Sequence, residues 1–267
     1  MTSTTLPLSE GTLSFRSAGS GPPVVLIHGV GMQSAAWGPQ IAHLAQARRV
    51  IALDMPGHGG STALPLGATL EDFVAWAANA ITALGLGRVS LAGHSMGALV
   101  AGGLSATRPD LVARVALING VYRRSAEARA AVEARASQIK DGQIDLETPL
   151  NRWFGDSPSE IAARDLVAGW LRSVDPKGYA VAYGAFARGD ATYADRIKDI
   201  TCPLLALTGD GDANSTPAMA QAIANAAPNG RCVVIKGHRH MVNLTAPEAV
   251  NAALDTWLAT PTQEDPR

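Results

Sequence analysis

The chain is short of cysteine, of net charge and of long apolar runs, and each shortage closes off a class of function. Its two cysteines, Cys202 and Cys232, form neither a metal-ligand spacing nor a disulfide framework. Each borders a predicted strand, where a thiol serves as a small core side chain. The formal net charge is −1, so no global basic field draws the protein to nucleic acid or to an anionic membrane. No apolar run approaches the roughly 20 residues of a membrane span. The opening M-T-S-T-T-L-P-L-S-E lacks the charged and apolar regions of a secretory leader. The expectation is a soluble, cytoplasmic protein with no nucleic-acid or membrane partner.

What is present is core-forming material. A chain of 267 residues, 47% of them hydrophobic, can bury one large core or two small ones. Gly11 to Arg16 alternates apolar and polar residues as a half-exposed strand does. Continuous apolar runs follow at Val24–Ile27, Arg49–Leu53, Val89–Ala92 and Val115–Ile118. A helical pattern from Leu70 to Leu84 is closed by Gly85, and a second spans Ala98–Thr107. Strands alternating with helices at this rhythm imply right-handed crossovers and a mostly parallel sheet with helices on both faces.

The rhythm stops near Gly120. Between Val121 and Ile200 only helical patterns occur, at Ser125–Ile139, Ser159–Val174 and Pro176–Ala187. Strands resume at Leu204–Thr208 and Cys232–Ile235, with helices at Ala218–Ala226 and from Pro247, a residue suited to a first helical turn. Val250, Leu254, Trp257 and Leu258 form one stripe of that last helix, and the tail after Pro261 is expected to fray. Residues 121–200 are therefore expected to form a helical lid inserted in a core made of 1–120 and 201–267. Acidic and basic residues balance within the insertion, as on solvated helix faces. It also holds Trp153, Phe154, Trp170, Tyr179, Tyr183, Phe186 and Tyr193, over half of the chain's aromatics. Most of these are expected to pack the insertion, with two or three lining a pocket.

The strand Val89–Ala92 leaves through Gly93-His94-Ser95-Met96-Gly97 into a helix, a G-x-S-x-G turn between strand and helix. A serine lifted onto so tight a turn needs neighbours almost without side chains, which Gly93 and Gly97 supply. At a helix N-terminus, free N–H groups and the helix dipole favour developing negative charge. A serine nucleophile also needs a base to take its proton and an acid to orient that base. Of the six histidines, His94 is expected to point away from the serine. His28 and His58 lie in glycine-rich loops whose geometry they can hold, and His43 falls on a surface helix. K-G-H-R-H, after the last strand, leaves His238 and His240 as candidate bases. T-G-D-G-D, after Leu204–Thr208, offers Asp210 and Asp212 as the acid, whereas the strand ending at Ile118 is followed by Asn119, which is no carboxylate.

With H-G-V-G at His28–Gly31, D-M-P-G-H-G-G-S at Asp54–Ser61, G-H-S-M-G at Gly93–Gly97, G-D-G-D at Gly209–Asp212 and H-M-V-N-L-T-A-P-E at His240–Glu248, the chain resembles the α/β-hydrolase superfamily over nearly its full length. It is most similar to the capped, single-domain branch of esterases, enol-lactonases and C–C bond hydrolases. The resemblance implies a triad of Ser95, Asp212 and His240, with the backbone N–H groups of Val30 and Met96 as the oxyanion hole, and neither cofactor nor metal. The residue before the base, usually glycine in that pattern, is Arg239 here, which keeps His238 as the alternative base. The implied activity is cleavage of a small-molecule carboxylic ester or lactone through an acyl-enzyme. The alternatives are C–C bond or amide cleavage of a small metabolite, a cofactor-free perhydrolase, and a ligand-binding member with little turnover. Serine at position 95 argues against a haloalkane dehalogenase. Arg123 and Arg124 leave the sheet for the insertion, where a guanidinium can meet a substrate carboxylate. The even charge balance of the insertion favours the plainer reading, that both begin a solvated helix alongside Glu127.

Overall fold

In the computed structural model, residues 2–262 are described; most of the tail expected to fray, 263–267, lies outside them. The strands are β1 (Thr4–Leu8), β2 (Gly11–Ala18), β3 (Pro23–Ile27), β4 (Arg49–Leu53), β5 (Val89–His94), β6 (Val112–Ile118), β7 (Leu204–Gly209) and β8 (Gly230–Ile235). They form one sheet in the order β1-β2-β4-β3-β5-β6-β7-β8. From β4 to β8 every neighbouring pair is parallel, while β1 and β2 add an antiparallel edge. The mostly parallel α/β architecture is thus present, with one strand, β1, that the sequence pattern did not signal.

The central strands are apolar on both sides because both faces of the sheet are covered. Val25, Ile27, Leu91, Val115 and Leu117 face one way, into a core with α2 (Leu70–Ala83), α3 (Met96–Thr107) and α8 (Pro217–Ala226). Val24, Leu26, Ala92, Ala116 and Ile118 face the other, against α1 (Gly38–Leu44) and α10 (Pro247–Leu258). The stripe Val250, Leu254, Trp257 and Leu258 is the buried side of α10. Alternation with period 2 is still operating; it is hidden in the sequence because neither face is polar.

Between β6 and β7 the chain forms α4 (Ala126–Lys140), α5 (Glu147–Trp153), α6 (Pro158–Ser173) and α7 (Pro176–Arg188). Three of these start on a side-chain cap: Ser125, Ser157 and Asp175 each accept the backbone N–H three residues on. Proline follows the cap in α6 and α7, where its missing N–H costs nothing. The insertion does not pack as one unit. Tyr179, Ala182, Tyr183 and Phe186 of α7 join the main core. Leu150 and Phe154 join Val167 and Leu171 of α6 in a separate cluster with Met32 and Met241. Met32 follows β3 and Met241 precedes α9 (Val242–Thr245), so this cluster joins the insertion to two loops at the carboxyl edge of the sheet.

Candidate active site

Only Ser95 separates β5 from α3, and it takes φ 54° and ψ −115°, a conformation L-residues avoid. The bracketing glycines are sterically required. A Cβ on Gly93 would collide with the Gly97 carbonyl, and one on Gly97 with the carbonyls of Ile27 and His28. The Ser95 N–H donates to the Ile118 carbonyl at 2.9 Å, which pins the turn to the neighbouring strand. Met96, first residue of α3, has an N–H that no intrahelical carbonyl can reach.

The structure brings Ser95, His240 and Asp212 into one chain of hydrogen bonds. His240 Nε2 lies 3.1 Å from Ser95 Oγ, and His240 Nδ1 lies 2.8 Å from Asp212 Oδ2. All three residues are buried. Asp212 Oδ1 accepts the N–H groups of Asn214 and Ser215 at 2.8 and 3.1 Å, and Oδ2 also accepts Asn119 Nδ2 at 2.8 Å. Burial alone would raise the Asp212 pKa, but His240, the Asn119 amide and the Asn214 N–H together hold it below its ordinary value. The other candidates point elsewhere. Asp210 Oδ1 accepts the Gly237 N–H at 2.8 Å, and His238 Nδ1 meets Thr245 Oγ1 at 3.0 Å.

The remaining histidines hold the frame. His28 Nδ1–H donates to the Gly29 carbonyl at 2.7 Å, and its Nε2 accepts the Met55 N–H at 2.9 Å. His58 Nδ1–H donates to the Pro56 carbonyl at 3.0 Å, and its Nε2 accepts the Gly31 N–H at 2.8 Å, which orients the loop carrying Val30. His94 turns from the serine, as expected, but Nε2–H donates to the His240 carbonyl at 2.8 Å, so it braces the base loop. Burial lowers the pKa of His58 and of His94 to about 3, assisted at His94 by the neighbouring His240, so both stay neutral. His43 pairs with Asp255 on the exposed side of α1.

A cavity of about 380 Å³ opens over Ser95 and His240, with Val30 in its wall. Four insertion aromatics line it, Trp153, Tyr179, Tyr183 and Phe186, more than the two or three expected. Trp153 lies over His240, its ring centroid 5.5 Å from that of the imidazole at an interplanar angle of 30°. Arg124, Arg135 and Arg152 also line the cavity. Arg124 is buried, ion-paired to Asp190 at 3.2 Å and stacked 4.4 Å over Phe186, and its Nη2 is buried without a hydrogen-bond partner. Arg123 instead pairs with the exposed Asp195 and does not line the cavity. Asn119, Arg135, Arg152 and Trp153 were not singled out for the site from sequence, although Trp153 counted among the aromatics of the insertion. Among the described residues, no cluster of three or more His, Cys, Asp or Glu side chains can hold a metal ion, and no helix is long and apolar enough to cross a membrane.

A hydrogen-bonded Ser–His–Asp chain beside a helix N-terminus is an arrangement that can attack a carbonyl carbon. Known hydrolases are similar to this chain over nearly its full length. The chain is 54% identical, over 97% of its length and 99% of the relative's, to an (E)-2-((N-methylformamido)methylene)succinate hydrolase of Acinetobacter baylyi. The enol-lactonase of Burkholderia xenovorans LB400 superposes with a TM-score of 0.87 at 25% identity, over 96% of this chain and 100% of that one. An E-2-(acetamidomethylene)succinate hydrolase superposes with a TM-score of 0.80 at 26% identity, over 97% and 99% of the two chains. Residues 24–253 match the alpha/beta hydrolase family, so this chain belongs to that family and is a hydrolase.

Proposed function

We propose that the protein hydrolyses an amide-type bond in a small dicarboxylate, in the manner of the N-acylaminomethylene succinates named for two of its relatives. The observation that carries this reading is the set of arginines in the cavity lining. Arg124, Arg135 and Arg152 line it from the insertion, against one acidic side chain, Asp145. A guanidinium bound to a substrate carboxylate forms charge-assisted hydrogen bonds, roughly twice as strong as neutral ones. Ester or lactone cleavage uses the same residues, but nothing in it calls for this concentration of charge.

In this reading residues 121–200 are the lid, and they hold the acidic end of the substrate while the sheet supplies the chemistry. Ser95 Oγ attacks the acyl carbon as His240 takes its proton, and Asp212 stabilises the imidazolium. The Val30 and Met96 N–H groups receive the oxyanion, and loss of one such donor costs about 3 kcal/mol of transition-state binding. His240 then returns the proton to the departing nitrogen, and water attacks the acyl-enzyme by the reverse route.

The test compares an N-acylaminomethylene succinate with its neutral diester. Wild type is expected to favour the diacid in kcat/KM by about tenfold or more, since one charge-assisted hydrogen bond is worth about 1.5–3 kcal/mol. Ser95→Ala should abolish turnover of both, and Arg124→Lys should narrow the preference. A preference for the neutral diester, or turnover surviving in Ser95→Ala, refutes the proposal.

A further inference from the structure

Arg239 occupies the place where glycine usually precedes the base, and its side chain does something a glycine cannot. It reaches from the base loop to the end of α5, where Nη1 donates to the carbonyls of Asn151 at 3.0 Å and Phe154 at 2.6 Å. The last carbonyls of a helix have no intrahelical partner and carry the negative end of its dipole, so a guanidinium is well matched to them. The stem of the side chain passes over the acid loop, where a Cβ on Gly211 would stand 3.3 Å from Arg239 Cγ.

Helix α5 carries four residues of the cavity wall, Thr148, Pro149, Arg152 and Trp153. Trp153 lies over His240, and Arg152 Nη1 donates to Asn214 Oδ1 at 3.3 Å, on the residue whose N–H holds Asp212. The catalytic hydrogen bonds do not involve the Arg239 side chain: Asp212 is held by Asn119, Asn214 and Ser215, and the His240 carbonyl by His94.

We infer that Arg239 is a positioning residue that locks α5 onto the base loop, so that Trp153 and Arg152 stand at fixed places over His240 and the cavity mouth. The lock sets substrate binding and leaves the triad itself intact. Its kinetic consequence rests on the acidic-substrate reading above; its structural consequence does not.

The experiment uses Arg239→Ala and Arg239→Lys in the full-length protein, each with and without Trp153→Phe, so that subtraction isolates the Trp153 emission. In Arg239→Ala, Trp153 emission should shift to the red and brighten as the indole leaves His240, and Arg239→Lys should restore it in part. With the diacid, Arg239→Ala and Arg152→Ala should each raise KM about tenfold, with kcat within about threefold of wild type. Arg239→Ala combined with Arg152→Ala should be no worse than Arg152→Ala alone. Unmoved Trp153 emission, additive effects on KM, or an equal loss of kcat on the diacid and on p-nitrophenyl acetate would overturn the inference. A shifted Trp153 signal in a protein that shows no preference for the diacid would keep the lock and dismiss the substrate class.

Discussion

Asp212→Asn tests the acid with almost no change of shape, because it turns a single acceptor into a donor. The Asn214 and Ser215 N–H groups converge on Oδ1, so the new amide must keep its oxygen there and turn its NH₂ towards His240 Nδ1 and Asn119 Nδ2, each 2.8 Å from Oδ2. Facing a donor, the imidazole carries its proton on Nε2, the nitrogen 3.1 Å from Ser95 Oγ, and it can no longer accept the serine proton. The wrong tautomer should lower kcat by about 10⁴-fold, equivalent to about 5.5 kcal/mol. Independently, the new NH₂ meets the Asn119 amide, which in the native protein donates to Oδ2; pairing is kept only if Asn119 turns its unpartnered Oδ1 inward and gives up its bond to Thr208 Oγ1, which should cost about 1 kcal/mol of stability. Turnover of p-nitrophenyl acetate and urea denaturation read the two effects separately. Asp212→Asn within about tenfold of wild-type kcat refutes the assignment.

Other expectations follow from the same geometry. Ser95→Gly removes a Cβ held at φ 54° and should raise stability by about 1 kcal/mol while abolishing activity; an unchanged or lower urea midpoint contradicts the strain. His58 and His94 are kept neutral with pKa values near 3, so below about pH 6.5 the unfolded chain binds protons that the folded protein refuses. Stability should therefore fall as pH drops, by about 2 kcal/mol per histidine between about pH 7.5 and pH 5, and denaturation curves that coincide at these two values would contradict it. His94→Phe leaves the buried His240 carbonyl without its donor and should cost about 1–3 kcal/mol together with a fall in kcat; loss of neither shows that the brace is dispensable.

The sequence by itself determined the layered α/β fold, because apolar runs and helical periods are local patterns that name their own elements. It likewise marked Ser95 through its turn glycines, and it narrowed the candidate acid and base to two residues each, between which the family resemblance favoured Asp212 and His240. The choice within each pair lay in how a loop bends after its strand, which spacing does not encode: His240 turns to Ser95 while His238 turns to Thr245. Two elements left too weak a trace. β1 is an edge strand held by its pairing with β2, and α5 is seven residues long, too short to display a helical period. With α5 went Arg152 and Trp153, two side chains of the cavity wall. From sequence, Asn119 is weighed only as an acid and set aside; its amide meets Asp212 across 93 residues of sequence because β6 and β7 are parallel neighbours. Arg123 and Arg124 are adjacent and chemically identical, yet one faces solvent and the other the cavity. That choice belongs to the tertiary structure, because buried Asp190 selects which guanidinium turns inward.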